Sequence, residues 1–226
     1  MPADNCISKV EFHFRPMPPG RWVNRWVVAG ISVVLMAVVG ALWLYLYVKS
    51  LEKPYSELRG YRVPTQESVD RFLRQGNHRA RFAQMLDYFD RRGVGEVVEP
   101  QSLLRQGTDW LDISEPAFAI APESLWPTMV TTLTLVRDEL VPSIGPVEVL
   151  SAYRTDNYNR KTGGSRSSKH RDFCGLDLVP QSNISRKELI EEMKALHARL
   201  GPASHMGLGF SSNLRFHIDT CGYRTW

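Results

Sequence analysis

A chain of 226 residues with a net charge of +4 has room for one domain and some extra segments. It carries no Lys/Arg-rich block of the kind that marks a nucleic-acid footprint, and its mild basic excess tolerates an anionic polymer such as a cell wall without requiring one. Three cysteines are too few for a disulfide framework.

Residues 1–25 are short and irregular, with Pro16, Pro18, Pro19 and Gly20 arguing against a continuous helix. Residues 26–48 then form an uncharged apolar run of about 23 residues, enough for roughly 34 Å of helix. It lacks the polar face of a soluble core helix, and Trp26, Trp43, Tyr45 and Tyr47 lie toward its ends as interfacial aromatics do. The run exceeds an ordinary signal-peptide core of roughly 7–15 residues and has no A-x-A site before the charged flank, so it reads as an uncleaved single-pass anchor. Lys9, Arg15, Arg21 and Arg25 precede it against Lys49 and Lys53 after it. That bias predicts a cytoplasmic N-terminus, with Cys6 reduced there, and an extracytoplasmic remainder, periplasmic where there is an outer membrane.

Residues 49–64, punctuated by Pro54, Gly60 and Pro64, read as a linker. The domain predicted over 65–226 opens with a helical lead-in, 65–98. There Val69, Phe72 and Leu73, then Phe82, Leu86 and Phe89, recur at helical spacing on either side of Gly76 and Asn77. In the core, 99–226, a short helix is predicted over 100–107 and a long one over 121–140, stopped by Pro142 and Gly145. A strand is predicted over 147–153. Residues 184–200 carry a capping-box signature at Ser185 and Glu188, a buried stripe of Leu189, Met193, Leu196 and Leu200, and Gly201 as C-cap, with His197 expected on the surface. Helices followed by strands predict an α+β fold: a small, mostly antiparallel sheet with flanking helices, preceded by one transmembrane helix.

The chemistry concentrates in Ser151–Pro180 and Met206–Trp226. His170 and Asp177 are too far apart for one helix face, a spacing that suits a loop histidine followed by a strand aspartate in Gly175–Val179. Leu214–Asp219 also reads as a strand, and alternation puts His217 and Asp219 on one face. Two histidines and one carboxylate, His170, Asp177 and His217, are the ligand set of a catalytic zinc that keeps a position open. Cys174 and Cys221 each lie four residues after one of these histidines, in a disulfide-permissive compartment by the predicted topology. Converging histidines would bring the cysteines together too, as a disulfide, as two buried thiols or as additional zinc ligands. His205 is an outside candidate for a general base, more simply a loop-surface histidine.

The pattern S-x-Y-R at Ser151, Asn159, Gly163-Gly164, S-x-H at Ser168, G-x-D at Gly175, G-x-G-F at Gly207, F-x-H-x-D-T at Phe216 and Y-R-x-W at Tyr223 resembles the zinc D-alanyl-D-alanine carboxypeptidase family. Its nearest branch is the murein endopeptidase-like one, and the likeness spans about Glu99 to Trp226. The resemblance implies a zinc peptidase fold shared with hedgehog- and lysostaphin-type domains and cleavage of D-amino-acid-containing peptides of peptidoglycan, hence a bacterial inner-membrane enzyme facing the periplasm. It implies a substrate-facing Arg154, able to bind a terminal carboxylate or a developing oxyanion, and a substrate-side Ser168. Asn159, Gly163 and Gly164 are expected to shape the loop, and Arg224 and Trp226 to pack near the site. The sequence departs from the family in one respect. Leu214 stands where an acid usually precedes the last histidine, and Arg215 stands where lysostaphin-like relatives have the first histidine of H-x-H. That leaves Asp219 either as general base or as the group that orients His217. It also leaves room for a catalytically inactive zinc-fold module that binds or scaffolds the wall, or for a peptidase of other D-amino-acid peptides.

Overall fold

The computed structural model describes residues 24–51 and 53–226, in two compact units divided between Glu52 and Lys53. The expectations for most of residues 1–25, Cys6 included, lie outside the described residues.

The first unit is one helix, α1, Arg25–Ser50, whose 26 residues extend about 39 Å. Asn24 caps it, its side chain accepting from the Trp26 amide at 3.2 Å. None of its side chains is buried, and it is long and apolar enough to cross a membrane.

The second unit begins with a hairpin, β1 (Tyr55–Leu58) and β2 (Tyr61–Pro64), paired antiparallel. This corrects the expected linker. Arg59 and Gly60, at φ 51° and 82°, form a two-residue turn of the positive-φ kind that joins twisted strands. Tyr61 and Val63 are buried against Leu150 and Val179, and Arg59 donates to the Gln181 and Ser182 carbonyls. The segment therefore belongs to the domain.

Helices α2 (Gln66–Leu73) and α3 (His78–Asp90) follow, burying Val69, Leu73, Phe82, Met85 and Phe89. A 3₁₀ turn covers Pro100–Leu104. The expected helix over 121–140 starts and ends later. A 3₁₀ turn at Glu123–Leu125 leads into α4 (Trp126–Leu135), a π turn over Val136–Leu140, and α5 (Val141–Ile144). Pro142 does not stop it, because the π turn shifts the bonding pattern. The proline then falls in the first turn of α5, where a missing N–H is tolerated. Gly145, at φ 83°, ends the run.

Strand β3 (Val147–Ser151) leads to α6 (Asp156–Lys161), β4 (Gly175–Pro180) and α7 (Arg186–Leu200). Strands β5 (Gly207–Phe210), β6 (Phe216–Asp219) and β7 (Arg224–Thr225) complete one sheet in the order β3-β4-β6-β5-β7, antiparallel except between β5 and β7. The capping box of Ser185 and Glu188 is formed, and Gly201 is the C-cap. His197, expected on the surface, is buried. It lies four residues after Met193, which widens the apolar stripe of α7, and its Nε2 donates to the Met206 carbonyl at 3.1 Å while its ring stacks on Tyr223.

Alternation along β4 and β6 decides what the sheet offers. Leu176, Leu178, Phe216 and Ile218 point into the main core, each contributing about 1.5–3 kcal/mol by burial. The residues between them, Asp177, His217 and Asp219, are left for the opposite face.

Candidate metal centre

Asp177 and His217 are direct cross-strand partners on β4 and β6, and His170 reaches the same point from the loop after α6. One ligand atom from each lies within 4.8 Å of the other two. His170 Nε2 is 3.1 Å and His217 Nδ1 3.0 Å from the same Asp177 oxygen, Oδ1.

The far nitrogens explain the orientation. His170 Nδ1 is 2.7 Å from the Ala152 carbonyl, which can only accept, so that nitrogen carries the proton and Nε2 presents a lone pair. Burial, reinforced by the neighbouring Arg154 guanidinium, lowers the His170 pKa to about 4, so the ring is neutral at pH 7. His217 Nε2 lies 3.1 Å from Asp219 Oδ2, which leaves Nδ1 toward Asp177. Burial pushes the His217 pKa down, but hydrogen bonds to Asp177 and Asp219 outweigh it and hold the value above normal. Burial likewise opposes ionisation of Asp177, yet His170 and Arg154 hold its carboxyl well below the usual range. A neutral His170 lone pair and a carboxylate oxygen facing each other is an arrangement that a shared cation satisfies. Two imidazoles and a carboxylate, each oriented by a further hydrogen bond, suit zinc.

Arg154 donates from Nη2 to Asp177 Oδ2 at 2.6 Å, and from Nε to the Gln106 carbonyl at 3.0 Å and Ser151 Oγ at 2.9 Å. It is therefore an ion-pair partner of Asp177 as well as a wall of the cavity. Asp219 is fully buried behind His217. Its oxygens also accept from Arg224 at 2.6 and 3.1 Å and from the Cys221 amide at 2.9 Å, and it does not line the cavity. Burial works against its charge, and the His217 and Arg224 hydrogen bonds prevail, lowering its pKa.

The cavity over this floor measures about 250 Å³. Ser168 lines it, with Gly164, Ser165, Phe210, Ser211, Arg215 and Trp226. Asn159 shapes the loop by donating to the Ser165 carbonyl at 2.8 Å, and the Trp226 ring sits 5.2 Å from that of His217. His205 is exposed and off the cavity. Two glycines clear the space. A Cβ on Gly209 would come within 2.4 Å of the Trp226 ring, and one on Gly175 within 2.6 Å of His217.

Cys174 and Cys221 are joined in a disulfide. It ties the start of β4 to the end of β6, beside the Gly175–Asp219 pair, so it fastens together the two strands that carry Asp177 and His217.

Two contributors were not among the site residues expected from the sequence. Gln106, buried, accepts through Oε1 from the Thr155 amide and hydroxyl, each at 2.9 Å, and anchors Arg154 through its carbonyl. Arg215 lines the cavity two residues before His217, a position that strand alternation could have revealed.

Residues 100–218, just over half of the chain, match the family model described as Peptidase M15. No curated protein and no solved structure matches the chain.

Proposed function

The chain belongs to the Peptidase M15 family of zinc peptidases, and from that premise we propose that it is a membrane-anchored zinc metallopeptidase. It cleaves D-amino-acid-containing stem peptides of peptidoglycan, as a carboxypeptidase or an endopeptidase. The observation that carries this reading is the meeting of His170 Nε2, Asp177 Oδ1 and His217 Nδ1 at one point on a cavity floor.

In this reading those three atoms hold the zinc. When bound, zinc supplies Lewis acidity toward a peptide carbonyl and toward water. The remaining work falls to the chain's own side chains. Arg154 fixes the Asp177 carboxylate so that Oδ1 faces the histidines, and from the cavity wall it donates to substrate oxygen. Ala152 and Asp219 hold the far nitrogens of the two imidazoles, so both rings keep their orientation. The burial of Asp219 and its bonds to Arg224 favour this orienting role over that of a base. Ser168 offers a hydroxyl to the peptide. The exposed apolar surface of α1 supports its use as a single membrane anchor, and the excess of basic residues before it supports a cytoplasmic N-terminus with the domain outside.

One observation favours a second reading. Asp177 is the sole carboxylate lining the cavity among the described residues, and Leu214 occupies the position of the expected acid. A wall-binding module without hydrolytic activity would look like this. The test is to incubate the full chain in detergent with muropeptides, with and without a chelator. Metal-dependent release of D-Ala or opening of a cross-link supports the peptidase. Stoichiometric zinc with no product overturns it in favour of the module.

A further inference from the structure

The cavity holds two arginines in different electrostatic situations. Arg154 is neutralised by Asp177 at 2.6 Å. Arg215 makes no ion pair among the described residues, and its side chain donates only to Ser211 Oγ, at 2.8 Å. A guanidinium stays charged at any physiological pH. With Asp177 matched to Arg154, the cavity wall is left with one uncompensated positive charge, to which a bound divalent metal would add.

Arg215 is also held in place. It closes the tight link from β5 to β6, where the Ser211 amide donates to its carbonyl at 3.0 Å and its own amide donates to the Ser212 carbonyl at 3.3 Å. The hairpin braces the same link from outside: Tyr61 donates its hydroxyl to the Ser212 carbonyl, and its ring lies 5.6 Å from the Arg215 guanidinium carbon. Arg215, just before β6, lines the same cavity as His217. Arg215 further lines a second cavity of about 240 Å³, with Tyr61, Arg62, Thr108, Asp109 and Ser212, so it stands where an extended ligand would leave the first cavity for the second.

We propose that Arg215 is a carboxylate-binding, specificity-determining residue, which selects peptides bearing a free carboxylate one step from the bond at the metal centre. A planar guanidinium with most of its donors unspent matches a carboxylate in bidentate fashion. This proposal rests on the peptidase reading for its ligand. The carboxylate is either the C-terminal one or that of an internal acidic residue, and the test separates the two.

The probes are a stem pentapeptide ending in D-Ala-D-Ala with all carboxylates free, the same peptide fully amidated, and forms amidated at single positions. Binding to the zinc-loaded full chain in detergent is measured by calorimetry, and KM by product release. The wild type is expected to prefer the free acid. Arg215→Met is expected to lose roughly 10- to 100-fold in affinity for it, with an unchanged affinity for the full amide. Arg215→Lys, which keeps the charge but not the fork, should recover part of the loss and serves if the Met variant is unstable. The singly amidated form that abolishes the preference identifies the carboxylate. An acid-to-amide ratio that is the same in wild type and both variants overturns the proposal. If no peptide is cleaved, the peptidase reading fails, and the binding ratio still reports on Arg215.

Discussion

On the floor of the cavity, Ala152, Asp219 and Arg154 hold the far nitrogens of His170 and His217 and Asp177 Oδ2, which leaves His170 Nε2, His217 Nδ1 and Asp177 Oδ1 facing one another. On its rim, Ser168, Phe210 and Arg215 are only half-buried and Trp226 is exposed. The floor takes Asp177 and His217 from paired strands tied by a disulfide, whereas the rim is built mostly from loops, with Phe210 at the end of β5 and Trp226 just after β7. The contrast teaches that the two parts answer to different demands. The floor holds donor atoms in one geometry before any ligand arrives, which costs stability unless the polar groups behind them are paired. The rim meets ligands of varied shape and leaves hydrogen-bonding capacity to spend on them.

Substitutions in the floor should therefore act on metal content and stability, and those in the rim on substrate preference. The largest effect is expected for His170→Ala or His217→Ala. Either should abolish stoichiometric zinc binding, read by elemental analysis, and lower peptide cleavage by at least about 1,000-fold. A variant that keeps full activity would break the comparison outright. Replacing both Cys174 and Cys221 by Ser opens a loop whose ends are 47 residues apart and should cost about 2–5 kcal/mol in denaturant unfolding. The substrate preferences of whatever remains folded should be unchanged.

Asp219→Asn should weaken zinc about 10- to 100-fold while leaving the pH profile of cleavage in place, as a positioning residue does. Loss of the basic limb of that profile at normal zinc affinity would instead make Asp219 the base. In the chelated protein the two histidines pull stability in opposite directions with pH. His170, at about 4 in the fold against 6.5 when free, stabilises above 6.5 and loses that contribution as pH falls toward 4. His217, raised in the fold, stabilises below 6.5 and loses that contribution as pH rises through its folded value. Melting temperature should peak near neutrality, with His170→Gln removing the acid limb and His217→Gln the alkaline one. The smallest effects belong to the rim. Ser168→Ala and Trp226→Ala should raise KM by less than about tenfold with zinc content intact, since each removes at most one neutral contact with substrate.

Much of the floor could be read before any coordinates, because its residues obey local rules. Period-two alternation pairs His217 with Asp219 and separates both from Phe216 and Ile218, while glycines at 175 and 209 mark where side chains of neighbouring elements come close. The cap of α7 is equally local, written in Ser185, Glu188 and Gly201. What escaped was tertiary. The hairpin at Tyr55–Pro64 is too short to show a period, and its Arg59-Gly60 turn lacks the usual Asn-Gly signature. Only burial against Leu150 and Val179 makes it part of the domain. Pro142 depends on a π turn that no pattern announces. His197 is buried because Tyr223, from the far end of the chain, stacks on it. Arg215 attracted notice only as a departure from a relative's motif. Its proposed role depends on its making no ion pair among the described residues, which a linear sequence does not display.

The cross-link between Cys174 and Cys221 also sets an order of events. Cytosolic thiols are kept reduced, so with the domain outside the membrane, as proposed, a newly made chain would close this bond only after export. Until then, the strands bearing Asp177 and His217 would be held by backbone pairing and core packing, without a covalent tie. Assembly of the candidate metal-binding floor would thus be finished last, where the proposed substrate is found rather than where the chain is synthesised.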